Sequence, residues 1–390
     1  MGGGAGARVA LVTSSYHPHF GGVESHVRNV ARELRRIGTD VEVWTVDRGE
    51  RLGTTELDGI VVRHLPTPLP ARSGRALATF AAASPRAWRA WRSAFRTFRP
   101  DLLHVQCFGP NGLYAAALAR RTATPLVLSA HGETFMDDYD AFGASALMRE
   151  GLRRTIAAAA MTTGCSEQVL GDLRDRFELV GGVVVPNGVG PAPTSPPHGV
   201  LPADLDLDAA PLVLGVGRLE TTKGFDLLVE AFAALDPALG ARLVLGGDGS
   251  QREALRAQGQ QLGLRGRLRL VGPLDEAAVH TWMRRADVVV MPSRREAFGI
   301  VALEAWRAGT PLVATTLGGP ASFVTDGADG VLVDPVNTGA LTYAIESVLR
   351  DHDRAAELAA NGLTSVRRYT WASVARIYGE LYDRAVQKAR

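Results

Sequence analysis

Short apolar runs separated by amphipathic stretches dominate the chain. Residues 8–14 read RVALVTS, 40–46 DVEVWTV, 60–66 IVVRHLP, 101–106 DLLHVQ, 125–132 PLVLSAHG, 160–166 AMTTGCS and 181–188 GGVVVPNG. Runs this short, rich in Val, Ile and Leu, are the pattern of buried strands. Between the first two, VESHVRNVARELRRIG (23–38) places its apolar residues at helical spacing and stops at Gly38. Strands interleaved with such helices predict βαβ units and a mostly parallel sheet. From 186 the pattern lapses into PNGVGPAPTSPPHGVLPADLDLDAAP, a Pro-, Gly- and Asp-rich linker. The alternation then restarts with LVLGVGR (212–218), ARLVLGGDG (241–249), RLRLVGP (267–273), DVVVMPS (287–293), PLVATT (311–316) and GVLVDP (330–335).

A chain of 390 residues exceeds one comfortable core. The expectation is an α/β protein of two doubly wound, Rossmann-like domains facing each other across a cleft: residues 1–188, a linker over 189–211, and residues 212–370. The amphipathic WASVARIYGELYDRAVQKA (371–389) is expected to form a last helix, with 371–390 crossing back to the N-terminal domain.

Composition narrows the function classes. Apolar residues make up 46%, charged residues 22%, and the formal charge is +2, so nothing suggests nucleic-acid binding. No apolar run approaches the roughly 18 residues of a membrane span. The start, MGGGAGARVALVTSSYHP, lacks the apolar core of a signal peptide, and Gly6 stands where myristoylation wants Ser or Thr. Cys107 and Cys165 form no CxxC or Cys/His cluster. Together these predict a reduced, cytoplasmic protein without structural zinc. Of the 43 basic residues only Lys223 and Lys388 are lysine. A compact ammonium serves as a point charge where a planar guanidinium does not fit, so Lys223, inside the second alternating region, is a candidate functional cation.

In open parallel sheets ligands sit beyond the carboxyl ends of the strands. That rule selects the loops holding His131, Arg218 to Lys223, Asp248, and Ser293 to Glu296. GVGRLETTKGFDLLVEAF (215–232) places Arg218 and Lys223 in one loop before a helix start, a combination suited to a diphosphate. It matches neither GxxxxGK[ST] nor GxGxxG. In PSRREAFGIVALEA (292–305) Glu296 precedes a helix beginning near Gly299 and Ile300, and Glu304 lies one to two turns in. Two carboxylates accepting from hydroxyls, with helix amides between them, describe a nucleotide sugar. A carboxylate pair for glycoside hydrolysis is the alternative, and the cationic loop argues against it. DLDLD (204–208) reads as solvated linker acids rather than a metal-binding DxD motif. His17 and His19 follow the first strand, where they either meet an acceptor or have no role. SPRAWRAWRSAFRTFRP (84–100) could lie on an anionic membrane, but it leads directly into DLLHVQ, and packing of its aromatics on the sheet is the favoured reading.

Taken in order, FGGVESHV (20–27), SAHG (129–132), VPNGV (185–189), GRLETTKGFDLLVEAF, GDG (247–249) and PSRREAFGIVALEAWRAGTPLVAT resemble glycosyltransferase family 4 (GT4), retaining enzymes of the GT-B fold, over nearly the whole chain. The resemblance implies an N-terminal acceptor side and a C-terminal nucleotide-sugar side. It implies that Glu296 binds hydroxyls of the donor sugar and Glu304 those of the ribose. Arg218 and Lys223 would hold the diphosphate and stabilise the leaving group. His131 would lie beside the sugar, Gly22 would admit the backbone to the phosphate, and Phe298, Gly299, Ile300 and Val301 would supply amides. Two departures are Gly190, where the family often has Asp, and GGPASFV (318–324), which lacks the usual Glu; donor preference and closure are where they would act.

The expected activity is transfer of a hexose from a nucleotide diphosphate sugar, UDP-sugar before GDP-sugar, with retention. No cofactor, metal or enzymic nucleophile is expected. Acceptors from lipid, glycan, antibiotic aglycone to small thiol precursor stay open, in cell-envelope or natural-product biosynthesis, at most with peripheral contact at the inner membrane face. A nucleotide-sugar isomerase of the same fold and a non-catalytic nucleotide-sugar-binding protein are the rival readings.

Overall fold

A computed structural model describes residues 7–19, 21–70, 74–136, 141–194 and 210–389. The chain divides into two compact units, the first made of residues 1–188 and 371–390 and the second of 189–370.

The first unit is built on an eight-stranded sheet of order β3-β4-β2-β1-β5-β6-β7-β8. Its strands are β1 Arg8–Thr13, β2 Asp40–Val46, β3 Thr54–Leu57, β4 Ile60–Leu65, β5 Leu102–Gln106, β6 Leu126–Ala130, β7 Met161–Gly164 and β8 Val183–Val184. All pairings are parallel except β3 with β4. Helices cover both faces, so Val9, Ala10, Leu11 and Val12 are all fully buried and β1 reads as a continuous apolar run without alternation. β3 was not anticipated: its Thr54, Thr55 and Glu56 are exposed and carry no apolar period. Its signal is the turn, where Asp58 and Gly59 both have positive φ (55° and 73°) between the paired Leu57 and Ile60, as a two-residue type I′ hairpin requires.

The helix Gly74–Phe98 starts earlier than its aromatic stripe suggested and carries Pro85 inside. Trp91 is buried, stacked on Tyr114 at 5.6 Å and edge-on to Trp44 at 6.0 Å, while Trp88 lies under the Arg121 guanidinium at 4.6 Å. The aromatics are therefore consumed by the fold, and Arg86, Arg89, Arg92 and Arg96 face solvent. Among the described residues no helix is long and apolar enough to cross a membrane. The final helix, Trp371–Ala389, belongs to the first unit. Its Trp371, Val374, Ala375, Tyr378, Leu381 and Tyr382 share one core with Val27, Val30 and Leu34 of the helix Gly22–Arg36.

The second unit holds a six-stranded, all-parallel sheet of order β11-β10-β9-β12-β13-β14. The strands are β9 Leu212–Val216, β10 Arg242–Gly246, β11 Leu268–Gly272, β12 Val288–Met291, β13 Leu312–Thr315 and β14 Val331–Val333. The first residues of the expected linker are not free: Val189 N–H donates to Tyr369 O at 2.8 Å, and Arg307 reaches Gly190 O at 3.3 Å. Residues 195–209, including the 204–208 acids, lie outside the described residues. β9 sits between β10 and β12, so the strand order reverses there and the loops after β9 and β12 leave the sheet side by side. In parallel α/β sheets such a reversal is where ligands bind.

Candidate active site

The loop after β9 is held from below by the loop after β10. Leu219 N–H donates to Asp248 O at 2.9 Å and Gln251 N–H to Leu219 O at 2.8 Å. The approach is so close that a Cβ on Gly247 would come within 1.8 Å of Gly217 O. Ser250 satisfies Glu220 through both its amide (3.0 Å) and its hydroxyl (2.5 Å), and this hydrogen bonding holds the Glu220 carboxyl below its ordinary range. Arg218, exposed, stands in the same loop.

A 3-10 turn, Thr221–Lys223, follows and ends on Gly224 in the left-handed region at φ 67°. Thr222 O accepts from the Arg294 amide at 2.9 Å and the Arg295 amide at 3.3 Å. Arg294 also clamps Asp226 with two bonds of 2.6 Å. Burial pushes the Asp226 carboxyl up, and the hydrogen bonds and charge of Arg294 outweigh it, leaving it below its usual range. This arginine-carboxylate fork was not singled out from the sequence, because nothing local relates two residues 68 apart.

These ties bring Lys223 to Glu296. Lys223 Nζ donates to Glu296 Oε2 at 2.7 Å and Ser293 Oγ to the same oxygen at 3.1 Å. The two side chains are 18% and 8% exposed. Glu296 is also fixed through its backbone, its N–H donating to Leu317 O at 3.2 Å and its O accepting from Gly319 N–H at 2.9 Å. The loops after three neighbouring strands, β9, β12 and β13, thus converge on Glu296. A Gly224→Ala substitution tests that convergence: its Cβ would fall 2.1 Å from Pro292 O in a conformation that L-residues avoid. The expected result is a loss of at least tenfold in turnover, because displacements of about 1 Å can cost around 100-fold. Steady-state kinetics on a variant that still melts cooperatively would check it.

The helix Ile300–Ala308 opens on Gly299 at φ 99°, and its first amides have no acceptor within the helix. Phe298 is buried and stacked on Phe323 at 4.8 Å, so only its backbone is available to a ligand. Ile300 and Val301 are partly exposed at the helix start. Glu304, one turn in, is half-buried and makes no hydrogen bond or ion pair among the described residues. Burial raises its carboxyl, with nearby Arg307 offsetting and Glu276 adding to the effect.

Gly22 and His131 belong to the first unit. Gly22 is the first residue of its helix. One turn further on, the buried His26 meets the His131 ring edge-on at 4.6 Å. His131 follows β6; its N–H donates to Glu133 Oε2 at 2.6 Å and its Nε2 lies 2.7 Å from Gln106 Oε1. Burial pushes His26 down to about 4 and His104 to about 3, and holds His131 well below the usual imidazole range, so all three rings are neutral at pH 7. His26, His104, Gln106 and Glu133 were not picked out as candidates, although His104 and Gln106 sit two apart on one strand and so share a face. His19 lies 3.3 Å from Glu50. Among the described residues no group of three or more His, Cys, Asp or Glu side chains is placed to hold a metal ion.

The family model "Glycosyltransferase Family 4" matches residues 20–192, and "Glycosyl transferases group 1" matches residues 203–364. The D-inositol 3-phosphate glycosyltransferase of Xylanimonas cellulosilytica is 30% identical over 429 aligned residues, covering 100% of this chain and 99% of that protein. Among solved structures, sucrose-phosphate synthase from Thermosynechococcus elongatus superposes with a TM-score of 0.79 at 23% identity, over 97% of this chain and 98% of the other. Anabaena HepE, solved in complex with UDP-glucose, gives 0.73 at 21% identity, over 96% and 98%. With similarity running the whole length of a relative, and two parallel-sheet α/β units that superpose on these structures over nearly their full length, the chain belongs to the family 4 glycosyltransferases and has the GT-B fold.

Proposed function

We propose that the protein is a cytoplasmic, retaining hexosyltransferase that takes its sugar from a nucleotide diphosphate donor, a UDP-sugar before a GDP-sugar. The observation that carries this reading is the Lys223–Glu296 pair at the strand-order reversal of the second unit, with Arg218 in the same loop. The two cations would meet the diphosphate and neutralise the charge that grows on it as the glycosidic bond breaks, the kind of stabilisation that usually contributes most. Because they supply that charge, no metal is invoked. Glu296 would accept from hydroxyls of the sugar, and Glu304, without an internal partner, from those of the ribose. The amides at the start of the Ile300–Ala308 helix would face phosphate oxygen. In front-face retention the departing phosphate takes the acceptor proton, so the chain needs no nucleophile of its own.

The test is a thermal-shift panel of UDP, GDP, ADP and dTDP with their common sugars. A ligand at 100 times its Kd stabilises the native state by about 2.7 kcal/mol, which for a protein of this size is a rise of a few degrees. Turnover of the responding sugar is then followed with D-inositol 3-phosphate as the first acceptor, because a full-length relative carries that name. The expected outcome is transfer that persists in excess EDTA, with the product anomer matching the donor. Conversion of the donor without an acceptor would make the protein an isomerase, and binding without either reaction a sensor. Failure of every nucleotide to raise Tm would remove the diphosphate site.

A further inference from the structure

His26 and His104, both buried, and the partly exposed His131 belong to one hydrogen-bonded chain in the first unit whose direction can be read. His26 Nδ1 lies 2.6 Å from Asn187 Oδ1, which only accepts, so Nδ1 carries the proton. The neutral ring then leaves Nε2 bare, and the Tyr378 hydroxyl 3.3 Å away donates to it. The Tyr378 oxygen also lies 3.2 Å from Ser129 Oγ, which links it to His104. The Gln106 Nε2 amide rests against the His104 ring, 3.2 and 3.3 Å from its two nitrogens. His104 is itself pinned by Tyr382 OH at 2.7 Å and Ser129 Oγ at 2.7 Å. The amide nitrogen of Gln106 being turned this way, its Oε1 faces His131 Nε2 at 2.7 Å. An amide oxygen cannot donate, so the proton on the His131 ring sits on Nε2. Nδ1 is left as a lone pair with no partner among the described residues.

We propose that Gln106 is a positioning residue that holds His131 as its Nε2–H tautomer, so that His131 Nδ1 meets the substrate only as an acceptor, receiving a hydroxyl and rejecting an anionic oxygen. This rests on the reading above that His131 touches the sugar. Gln106 itself touches no substrate; it is fully buried, and it acts by deciding which ring nitrogen carries the proton. Tyr378 and Tyr382 lie on the final helix, so that helix contributes to the site by ordering these protons as well as by packing.

The tautomer can be read without any activity. In full-length protein labelled with 15N-histidine, the His131 resonances are assigned by their loss in His131→Ala and their shifts give the protonated nitrogen. The wild type is expected to show Nε2–H at pH 7.5. Gln106→Leu, close in volume, should give a mixture of tautomers and lower kcat about 10- to 100-fold, the loss typical of removing the partner that orients an active histidine, with donor KM within about twofold. Gln106→Glu keeps an acceptor and should restore the Nε2–H form. A wild type carrying Nδ1–H, or a Gln106→Leu protein whose His131 tautomer is unchanged, overturns the assignment. A shifted tautomer with unchanged kcat overturns its link to the reaction. If the wild type turns over no sugar nucleotide, the functional reading fails while the resonances still decide the role of Gln106.

Discussion

Lys223→Ala is expected to lower kcat/KM for sugar transfer by about 100- to 1000-fold, the scale measured when one preorganised charge or donor is taken from a developing anion. The substitution has a second effect that must be separated from the first. Lys223 is the direct ion-pair partner of Glu296, whose side chain is only 8% exposed, and its removal leaves that carboxylate with the Ser293 hydroxyl alone. Stranding one partner of a buried pair costs about 3–5 kcal/mol, and this pair, part-exposed at 18% on the lysine side, should lie below that range. The double variant Lys223→Ala/Glu296→Gln distinguishes the two. Removing both charges should return much of the lost Tm, and none of the lost turnover should return. Lys223→Arg keeps the charge but replaces a compact ammonium with a planar fork, so partial activity is expected from it. Turnover by Lys223→Ala within threefold of wild type, in a protein that folds, would remove Lys223 from the chemistry.

The second large effect is acid lability. The folded state holds His26 at about 4 and His104 at about 3, both from an ordinary 6.5, because burial opposes the charged ring. The unfolded chain therefore binds protons that the native state refuses. The stability contributed is present in full above pH 6.5 and is lost as the pH falls through the window toward 4 and 3. For His26 alone the loss is about 3 kcal/mol once the pH is below 4, with a slope of about 1.4 kcal/mol per pH unit for each histidine in the window. His131, held low by the same burial and by its two neighbouring rings, adds to the slope. Glu133 and Glu304, raised by burial, act with the opposite sign. The interval from pH 6.5 to 5.5 is where the unfolded chain takes up its histidine protons. Urea denaturation across that interval should show stability falling steeply, and His104→Gln should reduce the slope by one proton. A flat profile would mean that these rings are not buried neutral. The same rings order the protons at His131, so the region that fixes its hydrogen-bonding direction is also one that acid destabilises.

Several features of this protein were determined by local sequence. Strands such as β1 and β12 are buried on both faces, and burial of that kind leaves a continuous apolar run that can be read without a structure. Alternation with helices dictates a parallel sheet, and strand ends in such sheets are where polar loops must lie, which is why Lys223 and Glu296 were both legible as candidates. The two-residue turn at Asp58 and Gly59 was equally local, and its hairpin could have been read from it. Tertiary structure decided what those residues touch. Glu296 finds Lys223 across 73 residues, Arg294 finds Asp226 across 68, and Tyr378 finds His26 across 352. Such partnerships follow from strand order and from where the last helix docks, and neither leaves a period in the sequence. A hydrophobic pattern records which face of an element is dry, because that cost is met residue by residue. Which polar atom meets which, and on which ring nitrogen a proton rests, is settled only when distant elements are brought within 3 Å or so of each other and every buried donor must find an acceptor.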